Sequence, residues 1–598
     1  MHFGNSSDRR EHGTDASDWE LLKFSMGYVK DHKYKAITAL VVVILSVLIN
    51  LLPELFLKKI FDEDIPNGNV GAILSDGGIM IGLYVFSWIL GFLNAYLITY
   101  IGQGSTFRMR TDMFQKLMKQ SMKYFETHKS GQINSRITND VNTLSNFLGS
   151  SFIDIVSAVL QLIGIVSIMI FLDVELGMIS LSIIPLMIVL AIFIRGPIRR
   201  ISQKRRQSVA EVTSNLAENI SGQKVSKAFA REKENTKEFE KVNRRNLEVH
   251  MKATSLFALI QPLFVVIGSL STVILMTYTG LNPSKYSVGT VVTFNAYLSR
   301  FFFPVIILTM FYSNYQSALA SLERIYIFLS EPVEIEDKVN SSPLKVGKGE
   351  IVFEDVDFGY SPDLLIFQGL SLKIEGGKRT AIVGSTGAGK STLIKLIVRF
   401  YDPLVGRVMI DGQDLTEVAL KSIREQIGLI PQRPFLFKGT IYENLTYGTT
   451  MVSQETVEEV AELIGLKPLI SNLPNGYETM IEEGGESLSL GQRQLIAFGR
   501  VLIHNPKILI LDEATSSMDS ISELKIQKAL DLVSRDRTTV IIAHRLSTIK
   551  SADRILVIEE GRIIEDGTHL SLLEKRGRYL ELYKKQLQQT EVHQITDE

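Results

Sequence analysis

Stretches without a single charged side chain recur through the first half of this chain, each too long for the helices of a small soluble core. Ala36–Pro53 and Gly77–Phe107 are two of them. Ile155–Leu172 and Leu176–Ile194 follow, divided only by Asp173-Val-Glu175, and then Ala253–Ser284 and Tyr286–Ala320, the last interrupted by Arg300 alone. About 20 helical residues cross the hydrocarbon of a bilayer, so the pattern predicts six membrane-spanning helices, with a tight hairpin at Asp173–Glu175. A short amphipathic segment, Trp19–Tyr28, precedes the first span and is expected to lie along the inner leaflet. The polar connections after the second and fourth spans contain few prolines or glycines. They predict long helices projecting beyond the bilayer, with short polar–apolar elements at Gly131–Asp140 and Ala217–Lys227.

After Ser330 the pattern changes. Glu331–Lys348 is polar and reads as a linker, and from Gly349 onward short apolar runs alternate with helical periodicity, the mark of α/β architecture. The expected fold class is therefore membrane α-helical, with six transmembrane helices and long cytoplasmic extensions, plus an α/β P-loop NTPase domain. The expected divisions are an N-terminal segment 1–35, a membrane domain 36–325, a linker 326–348, a nucleotide domain 349–585 and a polar tail 586–598.

Charge orients the spans. Lys23, Lys30, Lys33 and Lys35 precede the first, Arg108 to Arg136 include seven basic residues after the second, and Arg195 to Arg206 include six after the fourth. The intervening turns hold few, so both termini and the nucleotide domain are expected in the cytoplasm, in a multi-pass protein of the plasma membrane. A charge inside a span is costly, and for Arg300 three readings stay open: a water-filled path, a carboxylate partner, or a position near the boundary. At 598 residues the chain exceeds one ordinary domain. Its net charge of −1 gives no electrostatic reason for nucleic-acid binding, and the absence of cysteine removes disulfides and thiolate chemistry. Met1–Glu20 lacks the apolar centre of a cleaved signal peptide.

The chemistry begins at Gly384-Ser385-Thr386-Gly387-Ala388-Gly389-Lys390-Ser391, the spacing G-x-x-x-x-G-K-[S/T]. A short apolar run, Thr380–Val383, precedes it, and Thr392–Arg399 follows with helical spacing, the context a phosphate-binding loop requires. Its glycines let backbone N–H groups turn toward phosphate oxygens, Lys390 reaches the β- and γ-phosphates, and the Ser391 hydroxyl suits Mg²⁺. Lys507–Glu513 reads as a buried strand ending in two carboxylates, Asp512 placed for Mg²⁺ and Glu513 for the attacking water.

With these motifs in place, the chain resembles the ATP-binding cassette (ABC) transporters, specifically exporter half-transporters of the multidrug or lipid type. The diagnostic stretch is Leu488-Ser489-Leu490-Gly491-Gln492, similar to the family signature LSGGQ with leucine at its third position; Glu482-Glu-Gly-Gly485 departs from the commoner G-E-x-G. By that resemblance Tyr360 and Thr392 join the loop in binding ATP, with Tyr360 stacking on adenine. Gln432 lies in the Q-loop and touches Mg²⁺, Asp519 lies in the D-loop and His544 is the switch histidine aiding Glu513. The signature would act in trans, so the resemblance implies a second half-transporter as partner, a copy of this chain in preference to a related one. It implies ATP and Mg²⁺ as cofactors, and coupling helices at the two connection elements. The activity expected is ATP-driven export of amphipathic or hydrophobic compounds across the lipid bilayer. Export of peptides or another polar cargo, and an ATP-gated channel or sensor, stand as alternatives.

Overall fold

The computed structural model describes residues 16–361, 363–449, 452–512, 520–543 and 546–596. The chain divides into two compact units, Met1–Met118 with Lys129–Glu331, and Lys119–His128 with Pro332–Glu598.

The regular elements of the first unit, among the described residues, are all helices. Among the described residues six helices are long and apolar enough to cross a membrane: Asp18–Asp64, Val70–Lys119, Ser130–Leu172, Val174–Ser221, Glu232–Leu281 and Val288–Leu308. Helix is the form such runs must take, because hydrocarbon offers no partner to an unpaired backbone group. Large apolar side chains face outward, Trp88 at 72% exposure and Phe193 at 76%, a surface that lipid rather than water tolerates. The tight hairpin is present: Asp173 ends one helix and caps the next, its carboxylate accepting from the Leu176 N–H at 2.8 Å. The amphipathic segment is the helix Asp18–Val29, opened by a capping box between Ser17 and Glu20.

The first span breaks at Pro53, which has no N–H to donate, and the helix Lys33–Leu51 ends just before it. Carbonyls at this break are taken up by the sixth span. Tyr297 Oη donates to Leu51 O at 2.7 Å, Thr293 Oγ1 to Glu54 O at 3.0 Å, and Arg300 Nη1 to Asn50 O at 2.5 Å. Arg300 also pairs with the buried Glu54 carboxylate at 2.7 Å. Of the three readings for this arginine, the structure shows the carboxylate partner. Between Gly131 and Asp140, Asp140 is likewise tied within this unit, accepting from Arg324 Nε at 2.9 Å and Ser321 Oγ at 3.0 Å. The second connection turns at Gly222 into the short helix Gln223–Ala228.

In the second unit a six-stranded sheet runs, in spatial order, Arg562–Gly567, Arg554–Glu559, Arg379–Val383, Thr538–Ile542, Ile508–Asp512, Ile427–Ile430. Only the first pair is antiparallel. Alternation decides which face each residue serves. Ile508, Ile510, Val540 and Ile542 join a core with Leu393, Ile394, Leu396 and Ile397 of the helix after the glycine loop. Leu509, Leu511 and Ile541 join another with Leu495, Ile496, Phe498 and Val501 of the helix Leu490–His504. The two helices thus cover opposite faces of one sheet. A smaller antiparallel sheet, Phe367–Ile374, Ile351–Phe358, Val405–Ile410 and Gln413–Asp414, adds to the first core. The polar stretch before it is pinned to this unit: Leu344 is buried, and Asp337 accepts from the Leu420 N–H at 2.7 Å.

The connection helix Met122–Thr127 also belongs to the second unit. Glu126 pairs with Lys395 at 2.8 Å and accepts from Tyr401 Oη at 2.7 Å, and Lys123 pairs with Glu334 at 2.6 Å. The coupling element was expected at Gly131–Asp140; the segment grouped with the nucleotide domain instead lies just upstream, at Lys119–His128.

Candidate nucleotide site

Strand Arg379–Val383 ends at the loop Gly384–Gly389, and the helix Lys390–Ile397 begins directly after it. Backbone shape explains the glycines. Gly387 and Gly389 adopt φ of 86° and 105°, where a side chain strains the chain. A Cβ on Gly384 would come within 2.2 Å of Ile558 O, and one on Gly389 within 2.9 Å of the Phe367 ring. This is a cradle with no room for side chains, open to an anion approached by backbone N–H groups.

Lys390 closes the loop from inside. It is 8% exposed, and its ammonium donates to Gly384 O and Ser385 O, both at 2.8 Å. Burial pushes its pKa below the ordinary lysine value, and the charge of Asp512 offsets part of that shift. An ammonium whose hydrogen bonds among the described residues go to carbonyls is poised for a further anionic partner. Ala388 is buried, Ser385 accepts the Ala388 N–H at 3.2 Å through its carbonyl, and Ser391 lies exposed in the first turn. Thr386 sits in the same turn as Gly387, and Thr392 is buried.

Asp512 ends the strand Ile508–Asp512, paired with Ile542 of the next strand. Ile430 pairs with Leu511, so exposed Gln432 leaves the sheet beside Asp512. Among the described residues no cluster of three or more His, Cys, Asp or Glu side chains could hold a metal. A hydroxyl, an amide and one carboxylate, completed by phosphate oxygens, fit Mg²⁺, which is bound through few protein ligands beside phosphates. Glu513, Asp519 and His544 lie outside the described residues.

Tyr360 is partly exposed, its hydroxyl 3.3 Å from Thr392 Oγ1 and its ring edge-on to Phe358 and Tyr401. Lys395 Nζ lies 4.9 Å from the centre of that ring. Burial works against the charge on Lys395, yet the hydrogen bonds it donates to Glu126 and Tyr360 outweigh it and raise its pKa. Neither Lys395 nor Tyr401 stands out in the sequence, because neither belongs to a spaced motif. The same holds for Gly561, whose N–H donates to Ala388 O at 3.2 Å and which leaves no room for a Cβ against Ile366 O. The only signal for it is the turn-like Glu559-Glu-Gly-Arg562.

Ser489 is the N-cap of the helix Leu490–His504 and forms a capping box with Gln492: Gln492 N donates to Ser489 Oγ at 3.2 Å, and Ser489 N to Gln492 Oε1 at 2.9 Å. Ser489 is exposed at that N-terminus, Leu488 and Leu490 are half-buried, and Gly491 is buried. Gly484 and Gly485 both have positive φ, 76° and 66°, which accounts for the paired glycines ahead of the helix. This N-terminus belongs to the helix on the other face of the sheet from the glycine loop's helix.

Two family models match the sequence: ABC transporter transmembrane region over residues 36–305, and ABC transporter over residues 367–516. The chain is 36% identical over 578 residues to YknV of Bacillus subtilis (strain 168), an ABC transporter ATP-binding protein, covering 96% of this chain and 94% of that protein. A Staphylococcus aureus (strain NCTC 8325 / PS 47) protein, named for multidrug export as an ATP-binding/permease protein, is 36% identical over 578 residues, covering 94% of this chain and 99% of the other. Among solved structures, a bacterial Atm1-family ABC exporter with ATP bound matches with a TM-score of 0.75 at 29% identity, covering 93% of this chain and 98% of that one.

Proposed function

Because this chain belongs to the ABC transporter family, as an exporter half-transporter whose ATP hydrolysis is coupled to transport, we propose that it works as a dimer that exports amphipathic or hydrophobic compounds by alternating access. The observation that carries the dimer is the placement of glycine loop and signature helix on opposite faces of one sheet. A single cassette cannot close both on one nucleotide; the signature of a second chain can. The preferred partner is another copy of this chain. An amphipathic cargo is supported by the multidrug export named for the Staphylococcus aureus relative. Arg300 gives no support to a polar cargo, since its charge is met by Glu54.

In the proposed cycle the loop N–H groups from Gly384 to Gly389 and the Lys390 ammonium hold the phosphates, and Tyr360 stacks on the adenine. Ser391, Gln432 and Asp512 would hold Mg²⁺, which would supply positive charge to offset that of the phosphates. Ser489 Oγ and the Gly491 N–H of the partner chain complete the cage at a helix N-terminus. Glu513 orients or deprotonates the attacking water, aided by His544, and Asp519 lies at the contact between cassettes. Both termini and the cassette sit in the cytoplasm of a plasma-membrane protein. Purified chain in liposomes is expected to move a fluorescent amphiphile in the presence of ATP, and Glu513→Gln to bind ATP without moving it. Unaltered movement in Glu513→Gln would refute the proposed chemistry.

A further inference from the structure

The first unit carries a groove that none of the nucleotide chemistry uses. It lies between the turn Lys30–His32 with the start of the first span, and one stripe of the second span. His32, Tyr96, Thr99, Tyr100, Gln103 and Phe107 line it, and its volume is about 420 Å³. The last five recur at the spacing of one helix face, and all five are exposed. Gly104 lets the two elements meet, for a Cβ there would lie 2.3 Å from His32 Nε2. The His32 ring packs edge-on to Tyr100 at 5.6 Å, and Lys35 Nζ sits 3.1 Å from the centre of the Tyr100 ring.

Three observations indicate what fills this groove. On one helix the charge-free run begins at Ala36, directly after Lys35; on the other it ends at Phe107, directly before Arg108. Both helices therefore pass from hydrocarbon to water at this level, and the groove straddles the boundary. Its aromatic side chains suit that belt, where amphipathic rings meet headgroups. The charge is lopsided: Arg108 is engaged by Asp31 and lies 4.0 Å from Asp112, whereas among the described residues no carboxylate pairs with Lys30, Lys33 or Lys35. Surplus ammonium groups beside an aromatic slot call for an anion attached to an apolar body. A volume of this size takes a headgroup and its glycerol, with the acyl chains continuing along the outward-facing rings of the second span.

We propose that this groove is a binding site for one anionic phospholipid, whose phosphate meets Lys35 and His32 while Tyr96, Tyr100 and Phe107 cover its upper chain. The site fixes the elbow between the amphipathic helix and the first span to a lipid of a particular charge. Its test reads lipid retention without transport, so it stands whether or not the cargo assignment does.

The full chain, purified in mild detergent with phosphatidylglycerol or with phosphatidylcholine, tests this by native mass spectrometry. Wild type is expected to retain one phosphatidylglycerol per chain and no phosphatidylcholine. Each lysine near a charged surface contributes about a fivefold change in lipid affinity, so His32→Gln with Lys35→Gln should lose retention by fivefold or more. Lys23→Gln, one helix earlier, should keep it, and ATP binding by both variants reports that they are folded. Equal retention in wild type and the double variant would overturn the proposal, as would an equal loss in Lys23→Gln. A photoactivatable residue at Tyr96 should crosslink to lipid. Crosslinks to residues 1–15 or to a second copy of the chain would also overturn it, by naming a different occupant.

Discussion

Arg300 among the spans and Lys390 in the glycine loop are both cations drawn into poorly solvated surroundings, and the chain treats them in opposite ways. Arg300 is met by a carboxylate, Glu54, and by the Asn50 carbonyl in the last turn of the helix before Pro53. Among the described residues the hydrogen bonds of Lys390 go to two carbonyl oxygens, with Asp512 acting on it through its charge. A neutralised charge has no call for a ligand and serves to tie one span to another. A charge left short of a counterion is a standing invitation to an anion. The difference is a physical ground, independent of any relative, for proposing Lys390 and not Arg300 as the ligand-binding cation.

The sharpest way to break this comparison is Lys390→Ala. If the ammonium is reserved for phosphate, ATPase activity should fall by at least about 100-fold, the scale for losing one preorganised charge at a developing anion. The thermal midpoint without nucleotide should barely move, because the carbonyls it leaves sit in a loop. A large loss of stability with activity retained would reverse the assignment.

Glu54→Gln attacks the other member. Breaking a buried ion pair by removing one partner costs roughly 3–5 kcal/mol, and the lower end applies here because Arg300 keeps partial exposure. At roughly 2 °C per kcal/mol for a large domain, the midpoint in detergent should drop by about 6 °C, with ATP affinity unchanged. The double variant Glu54→Leu with Arg300→Met should recover most of the loss, since neither charge is then stranded. Failure to recover, accompanied by altered cargo selection, would mean that the pair faces the transported compound after all.

Much of this was legible in advance because the decisive signals are local. A run without charges such as Ala36–Pro53 can do little but span, and Gly384–Ser391 announces its conformation through three glycines and a lysine. The opposite-face placement of the two cassette helices follows from alternation along Ile508–Asp512, but only once the strand order is known. Glu54 was not legible as the partner of Arg300: it lies just beyond a charge-free run, and sequence separation hides the contact. The connection helix that meets Lys395 and Tyr401 leaves no mark in the sequence, because Met122–Thr127 is too short to show a period. Its informative residue is the single carboxylate Glu126, ordinary in any sequence. Tyr401 and Lys395 escaped notice for the same reason, since contacts made by folding carry no spacing.

That carboxylate offers the finest test of the contrast, because Glu126 touches a cation intermediate between the other two. Lys395 is half-buried, paired with Glu126, and poised over the ring of Tyr360, the proposed adenine platform. If the pair only fastens the connection helix, Glu126→Ala should resemble Lys123→Ala, which removes the anchor to Glu334 on the same helix. Partly exposed pairs of this kind contribute about 1 kcal/mol or less, so both variants would lose little stability. If instead Lys395 links the nucleotide site to the connection, Glu126→Ala alone should abolish the stimulation of ATPase by cargo while basal turnover stays within about twofold. Glu126→Gln, which still accepts from Tyr401 but no longer balances the lysine, then separates charge from anchoring. Stimulation lost in Gln as in Ala assigns the coupling to the ion pair; stimulation kept in Gln assigns it to the hydrogen bond from Tyr401. Equal behaviour of all three variants and wild type would leave the helix a passive strut.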